Sequence, residues 1–216
     1  MHIEILVEDA SGKKLLSVLL PKLLGPSDTA HTWRIHAYKG VGHIPPNLKG
    51  KTDPNKRILL DNLPRLLQGY ANTPGIDAVV VLVDTDDRNC AAFLAELNKL
   101  AAASAPTLTV LIRLAIEEIE AWYLGDKYAL SRAYPAAKQH QDKLKRYQPD
   151  SICGTWELLA NIIYPGGAAA LKRDKIVGSK KYEWAEKIAP HMEPQRNLSP
   201  SFQKFCEGIQ RLTVTS

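Results

Sequence analysis

The feature that most constrains the fold is a continuous apolar run near the middle of the chain. Residues 76–83 read I-D-A-V-V-V-L-V, and D-T-D-D-R follows directly. A strand that is apolar on both sides is buried on both faces, as in parallel sheets that helices cover. The run therefore predicts a central strand whose end carries three aspartates within four positions.

Strand-like and helix-like segments alternate on both sides of this run. The predicted strands cover residues 2–7, 33–38, 76–83 and 107–114. The predicted helices between them cover residues 11–24, 54–70 and 88–103. Ser11 is the expected N-cap of the first helix, and Pro21 is expected to kink it or end it early. Strands that alternate with helices form βαβ units, so we expect an α/β fold with a four-stranded parallel sheet and helices on both faces.

The pattern changes after Leu114. Residues 117–129 have helical spacing, and the later segment contains prolines at short intervals, which are typical of short helices joined by loops. No strand is predicted beyond Leu114. We expect residues 1–130 to form the α/β domain and residues 131–216 to form a C-terminal helical extension that packs on it as part of one compact unit.

Composition narrows the class of protein. Hydrophobic residues make up 45% of the 216 residues, which is enough for a sizeable core. The three cysteines are widely spaced and the histidines lack ligand spacing, so neither a disulfide framework nor a zinc site is expected. No run of eighteen apolar residues is present, and no basic segment precedes the first apolar run. We therefore expect a soluble, cytoplasmic protein without a membrane partner.

Acidic side chains follow two of the predicted strands. Glu8 follows the first strand, and Asp84 and Asp86 follow the third. Ligands of open parallel sheets bind beyond the carboxyl ends of the strands, so these side chains are expected at one edge. Two carboxylates about 4 Å apart repel by roughly 4 kcal/mol at an effective dielectric of about 20. A divalent cation, a shared proton, or nearby lysines and arginines would each offset this repulsion.

Structural roles compete with a metal site at these positions. An aspartate at a strand end commonly caps the next helix, and Asp86 or Asp87 precedes the helix predicted from Arg88. The glutamates of a second acidic segment, residues 115–126, are by themselves typical of a solvated first helical turn. A cap explains one aspartate, whereas D-T-D-D together with Glu8 favours Mg²⁺ or Mn²⁺, which prefer hard oxygen ligands.

Basic residues concentrate in the second half of the chain. The formal net charge is +5, and residues 138–146 and 172–187 contain clusters of lysine and arginine. A solvated helix face explains each cluster taken alone, whereas a nucleic-acid partner explains both. The tryptophans at 122, 156 and 184 lie in helix-like contexts and are expected in the core rather than as base-stacking platforms.

Four short segments together resemble a known domain. The glutamate of I-L-V-E-D and the aspartates of V-L-V-D-T-D-D, in a βαβ framework, resemble the Toprim domain of topoisomerases, primases and the overcoming-lysogenization-defect nucleases. The segments A-I-E-E-I-E-A-W-Y-L-G-D and S-P-S-F-Q-K-F-C-E-G-I are similar to those of an uncharacterised Toprim-related family. This resemblance covers residues 3–212. Genes of that family often lie beside a gene for an AAA-type ATPase.

The resemblance implies a metal-dependent nuclease. The implied catalytic and metal-binding residues are Glu8, Asp84, Asp86, Glu118 and Glu120. In this scheme Glu8 is a general acid/base or a ligand, and Glu118 and Glu120 hold a second ion. Two ions about 3.5–4 Å apart activate water and stabilise the leaving oxygen of a phosphodiester. The expected phosphate contacts are Arg88, Lys180 and Lys181.

One position departs from the common Toprim pattern. Many members have Glu-Gly where this chain has Glu8 and Asp9, and the glycine lets the backbone approach a ligand closely. Asp9 is therefore expected to alter metal occupancy or the approach of a phosphate. The resemblance implies an effector in defence against phage that acts with an ATPase. The alternative is a non-catalytic regulatory or interaction subunit whose acidic edge binds metal only for structure.

Overall fold

The computed structural model describes residues 1–27, 30–45 and 56–214, and its centre is a four-stranded parallel sheet. The strands are β1 (His2–Val7), β2 (Thr32–Ala37), β3 (Ala78–Asp84) and β4 (Thr109–Ala115). Their order is β2-β1-β3-β4, and every pair of neighbours is parallel. The predicted α/β class and parallel sheet are confirmed, and each strand lies within two residues of its predicted bounds.

Helices connect the strands and continue beyond the last one. The connecting helices are α1 (Ala10–Leu24), α2 (Leu59–Ala71) and α3 (Cys90–Ser104). The later helices are α4 (Glu120–Gly125), α5 (Lys127–Ala133), α6 (Gln141–Arg146), α7 (Thr155–Ile163), α8 (Gly167–Arg173), α9 (Val177–Ile188) and α10 (Pro200–Val214). Short 3₁₀ turns cover Pro135–His140 and Ala189–His191.

Apolar layers cover both faces of the sheet. Ile3 and Ile5 of β1 pack in a core with α1 and the later helices, whereas Leu6 packs in a second core with α2 and α3. The first six residues of β3 are all buried. A strand buried on both sides requires such a three-layer arrangement, which the run at 76–83 predicted correctly.

The chain after β4 packs on the α1 side of the sheet. Residues 116–214 contain helices and turns but no strand, as expected. Trp122, Trp184 and Phe202 from this segment join Ile3 and Ile5 in one apolar core. Among the described residues, no helix has the length and apolar character that crossing a bilayer requires.

Two helix starts differ from their predictions because different side chains cap them. Asp9, not Ser11, caps α1, since its carboxylate accepts the Gly12 N–H at 2.8 Å. Helix α3 begins at Cys90, and the Asn89 side chain accepts the Ala92 N–H at 2.9 Å. The aspartates before Asn89 therefore do not cap this helix.

Helix α1 ends at Leu24, in agreement with its predicted range of 11–24, and does not end early at Pro21, because buried leucines hold it against the core. Two further boundaries were wrong. The helix predicted over 117–129 begins only at Glu120, since Glu117 has a positive φ of 60°, and it is divided into α4 and α5 at Asp126, whose side chain caps α5. Helix α2 begins at Leu59, and residues 54–55 of the predicted helix lie outside the described residues.

Candidate active site at the carboxyl edge of the sheet

The ends of β1 and β3 bring Glu8 and Asp84 together. The two strands are parallel neighbours, with Val7 opposite Leu82 in their register. Glu8 and Asp84 line the same small cavity, together with Asp9. The volume of this cavity, about 10 Å³, admits roughly one water-sized species. The edge predicted from the strand order therefore places these two carboxylates side by side.

Glu8 has a pKa near neutrality. Burial raises the pKa of its carboxyl from 4.5 to about 7, and the negative charges of Asp86 and Asp9 act in the same direction. The backbone of Asp84 and the ammonium of Lys181 oppose the rise. A carboxyl with this pKa exchanges protons readily at physiological pH, as a general acid/base must.

Asp84 lies at the centre of the negative charge. Burial raises its pKa well above the ordinary value, and the carboxylates of Glu8 and Glu120 raise it further. The Lys181 ammonium lowers it. Residues from the ends of β1 and β3 and from α4 therefore interact electrostatically at one place.

Lys181 of α9 reaches into this edge. Its Nζ lies 2.6 Å from Glu118 Oε1 and 3.4 Å from Glu120 Oε2. The Glu120 side chain is fully buried, and only 14% of the Lys181 side chain is exposed. Burial lowers the pKa of Lys181, but the carboxylates of Glu120 and Glu118 raise it to a net value above 10.5. Burial likewise raises the pKa of Glu120 to about 7, although Lys181 lowers it.

Thr85 and Glu117 hold the loops after β3 and β4 together. The buried Thr85 hydroxyl accepts the Glu117 N–H at 2.7 Å, and the Asp86 N–H donates to the Glu117 carbonyl at 3.0 Å. The backbones of Asp86 and Glu117 have φ values of 48° and 60°, in the left-handed region. These contacts fix the aspartate loop relative to the glutamate segment.

The Glu117 side chain bonds to the start of α7. Its carboxylate accepts hydrogen bonds from the Gly154 N–H, the Thr155 N–H and the Thr155 hydroxyl. Gly154 has a φ of 84° and stands directly before α7. Glu117 therefore caps α7 from a position 37 residues earlier in the chain, and sequence reasoning missed this role because no local pattern signals it.

Asp9 has a structural role. Both of its oxygens accept hydrogen bonds from the Ser11 hydroxyl, at 2.8 and 2.9 Å, and one also accepts the Gly12 N–H. The residue that departs from the Toprim pattern therefore caps α1. Its charge still contributes to the raised pKa of Glu8.

The predicted phosphate contacts have different surroundings. Arg88 Nη1 lies 2.9 Å from Asp86 Oδ2, and both side chains are partly exposed. Lys180 Nζ pairs with Glu183 at 2.5 Å. Lys181 contacts the largely buried carboxylates of Glu118 and Glu120, whereas Arg88 contacts the exposed Asp86. Arg113 of β4 donates hydrogen bonds to the carbonyls of Lys204 and Ile112.

The donor set at this edge suits a hard cation. Among the described residues, four buried carboxylate oxygens at this edge accept no hydrogen bond: Glu8 Oε2, Glu118 Oε2 and both oxygens of Glu120, of which Oε2 lies 3.4 Å from the Lys181 ammonium. Buried acceptors without a partner are costly, and Mg²⁺ or Mn²⁺ prefers oxygen ligands of this kind. Within residues 1–27, 30–45 and 56–214, however, no three acidic, histidine or cysteine side chains are already arranged to hold a metal. The oxygens fit Mg²⁺ chemically, while Lys181 holds two of the carboxylates.

Comparisons with known proteins identify a family. A search of curated proteins and a search of solved structures each found no significant match. The family model described as "Domain of unknown function (DUF4276)" matches residues 7–210. This span contains Glu8, Asp84, Glu120 and Lys181, and it confirms the expected membership of an uncharacterised family. The chain therefore belongs to the DUF4276 family, a domain of unknown function.

Proposed function

We propose that this protein is a Mg²⁺- or Mn²⁺-dependent phosphodiesterase that hydrolyses nucleic acid at the carboxyl edge of its sheet. The observation that carries the proposal is the group of buried carboxylate oxygens of Glu8, Glu118 and Glu120 that accept no hydrogen bond and lie beside Asp84. A protein interior tolerates such oxygens only when something compensates them. Lys181 supplies one positive charge, protons supply part of the compensation without metal, and a divalent cation would take the place of those protons.

Each acidic residue has a role in this proposal. Asp84 and Asp86 would hold the cation, with Glu120 and Glu118 as further oxygen donors. When bound, the cation would polarise the phosphodiester and lower the pKa of a bound water. Glu8, whose pKa is about 7, would accept or donate a proton at its unpartnered Oε2. Thr85 and Glu117 position the aspartate loop without contacting the substrate.

Basic residues beside the edge favour a polyanionic substrate. Residues 172–187 contain six lysines and arginines against three acidic residues. Lys181 belongs to this segment and contacts the acidic edge directly. The Toprim resemblance supports the same substrate class, and it also supports an AAA-type ATPase partner and a role in defence against phage as part of this proposal.

A double substitution tests the proposal. Asp84→Asn with Asp86→Asn is expected to abolish Mg²⁺-dependent cleavage of labelled DNA and RNA, because it removes two negative charges from the cation site. Asp87→Asn is the matched control, since Asp87 is exposed and lies one residue further along the same loop. Cleavage that survives the double substitution, or that does not need a divalent cation, would defeat the proposal.

The contacts of Lys181 favour a second candidate function. Because its ammonium already neutralises Glu118 and Glu120, the edge is also compatible with a non-catalytic regulatory or interaction subunit. The two candidates differ in turnover. Binding of Mn²⁺ or nucleic acid without cleavage of DNA or RNA, both alone and with an ATPase partner, would select the second candidate.

A further inference from the structure

Trp156 differs from the tryptophans of the core. Trp122 and Trp184 are buried, as expected, whereas Trp156 in the first turn of α7 is only partly buried. Two lysine ammonium groups lie near its ring. Lys172 Nζ is 5.1 Å and Lys181 Nζ is 5.8 Å from the ring centroid. Trp156 packs against the core, as its sequence context predicted, but part of its indole is exposed and lies near two cations, which that context did not predict.

Trp156 adjoins the acidic edge through two separate contacts. The first is Lys181, whose ammonium lies 2.6 Å from Glu118 and also lies near the indole ring of Trp156. The Glu117 carboxylate also caps α7 at Thr155, the residue before Trp156. A base stacked on this indole would therefore bring its phosphate close to the carboxylates.

A second aromatic ring continues the pattern along α7. Tyr164 follows the last turn of α7 and is partly buried, and Lys180 Nζ lies 5.5 Å from its ring centroid. Trp156 and Tyr164 are eight residues apart, which is about 12 Å along a helix. Cations interleaved with aromatic rings are the pattern of surfaces that bind single strands.

Two glutamates reduce the positive charge of this surface but leave its lysines partly exposed. Glu157 pairs with Lys172 at 3.1 Å, and Glu183 pairs with Lys180. The Lys172 side chain is 59% exposed, so it can move off the indole ring and contact a phosphate while a base stacks on the ring in its place. Lys181, in contrast, is held by its two glutamates.

We propose that Trp156, flanked by Lys172 and Lys181, is a stacking platform for an unpaired base, so that the substrate is single-stranded nucleic acid. The face of a base is accessible only when the base is not stacked in a duplex, and stacking on an aromatic ring is tolerant of sequence. This inference rests on the proposed phosphodiesterase function for its biological meaning. Its binding step is independent of cleavage.

The experiment measures binding in EDTA, where no cleavage occurs. The probes are a fluorescein-labelled oligothymidine of about 15 nucleotides and a labelled hairpin duplex. The wild type is expected to prefer the single strand and to show quenching of tryptophan fluorescence on binding. Trp156→Ala is expected to weaken single-strand binding by about 5- to 150-fold, the range for the loss of one base–aromatic stack. Trp156→Phe keeps an aromatic face and is expected to retain most of the affinity.

The matched control is Tyr128→Ala. Tyr128 of α5 is 57% exposed and also lies near a cation, since Arg196 is 4.4 Å from its ring centroid, but that arginine contacts Asp126 rather than a carboxylate of the acidic edge. This variant is expected to bind like the wild type. Melting curves for all variants separate loss of binding from loss of folding, and Trp156→Phe tests the platform if Trp156→Ala does not fold.

The possible outcomes separate the two proposals. Equal binding by the wild type and a folded Trp156→Ala variant, equal affinity for the duplex, or no binding of either probe would overturn the platform. Trp156-dependent binding of single strands without cleavage under any metal condition would support the platform and defeat the phosphodiesterase. Metal-dependent cleavage that is insensitive to Trp156 would defeat the platform alone.

Discussion

At the scale of single residues, the acidic edge is a balance between one lysine and several carboxylates. Glu118 and Glu120 contact Lys181, whereas Glu8 and Asp84 lie further from it and have strongly raised pKa values. Protons therefore occupy part of this site near neutral pH. The contacts therefore predict how the free energy of unfolding changes when Lys181 or one of the carboxylates is replaced.

Lys181→Met is expected to lower the free energy of unfolding by about 3 kcal/mol, because it leaves two buried carboxylates without their cation. Urea unfolding in EDTA measures this change. Lys180→Met is the control, since Lys180 forms a partly exposed pair with Glu183, and it is expected to cost about 1 kcal/mol or less. Equal losses in the two variants would show that Lys181 does not compensate the acidic edge.

Stability without metal is expected to fall as the pH rises from about 4.5 to about 7. Glu8 and Glu120 have pKa values of about 7 in the folded protein, above the ordinary 4.5, so the folded state binds more protons than the unfolded state in this window. The contribution of these two carboxyls to the free energy of unfolding is fully present below about pH 4.5, where both are protonated, and is lost as the pH rises through about 7.

Glu120→Gln removes one of these titrating groups. The free energy of unfolding of the variant, relative to that of the wild type, is expected to be higher at about pH 8 than at about pH 5. Urea unfolding in EDTA measures this difference. A difference between variant and wild type that is the same at both pH values would contradict the raised pKa of Glu120. Glu186→Gln, an exposed carboxyl on α9, is a suitable control.

At the scale of elements, the loops after β3 and β4 act as one unit. Thr85 bonds to the backbone of Glu117, and the Glu117 side chain bonds to the start of α7. The aspartate loop, the glutamate segment and α7 are thus joined through two residues. Neither residue belongs to the predicted site, yet both fix its geometry.

Glu117→Ala is expected to lower the free energy of unfolding by about 2–3 kcal/mol, because it leaves the N–H groups of Gly154 and Thr155 without their charged acceptor. Thermal or urea unfolding checks this value. Glu157→Ala is the control, since Glu157 pairs only at the surface with the exposed Lys172 and is expected to cost less than about 1 kcal/mol. A loss of the same size in both variants would count against the capping role.

The sequence predicts elements whose signal is local and misses those that depend on distant partners. The run at 76–83 and the alternation around it were sufficient for the four strands, because burial on both faces leaves a continuous apolar pattern. The helix predicted from 117 begins only at Glu120, because Glu117 bonds to Gly154 and Thr155, far along the chain. The positions of the strand ends were sufficient to predict that Glu8 and Asp84 meet. The position of Lys181 could not be predicted in this way, because it depends on how α9 packs.

At the scale of the whole molecule, the first and second halves of the chain share a core. Ile3, Ile5 and Leu15 from the first half pack in the same cluster as Trp184 and Phe202 from the second. One face of the sheet is thus covered partly by residues from beyond position 130. The acidic edge is likewise assembled from both halves, because Lys181 follows the predicted boundary.

A fragment of residues 1–130 is expected not to fold cooperatively, since it lacks the helices that bury one face of its sheet. Near-ultraviolet circular dichroism and urea unfolding of the fragment test this expectation, with the full chain as the control. A cooperative transition in the fragment would establish residues 1–130 as an independent domain.

The origin of the Lys181 charge has a consequence for control of the site. Glu118 and Glu120 lie just before and at the start of α4, but the ammonium that pairs with them is carried by α9, a helix that also packs against α1. A ligand that displaced α9 by a few ångströms would change the charge state of the carboxylates without touching any of them. Affinity for cations would then depend on a surface on the far side of that helix.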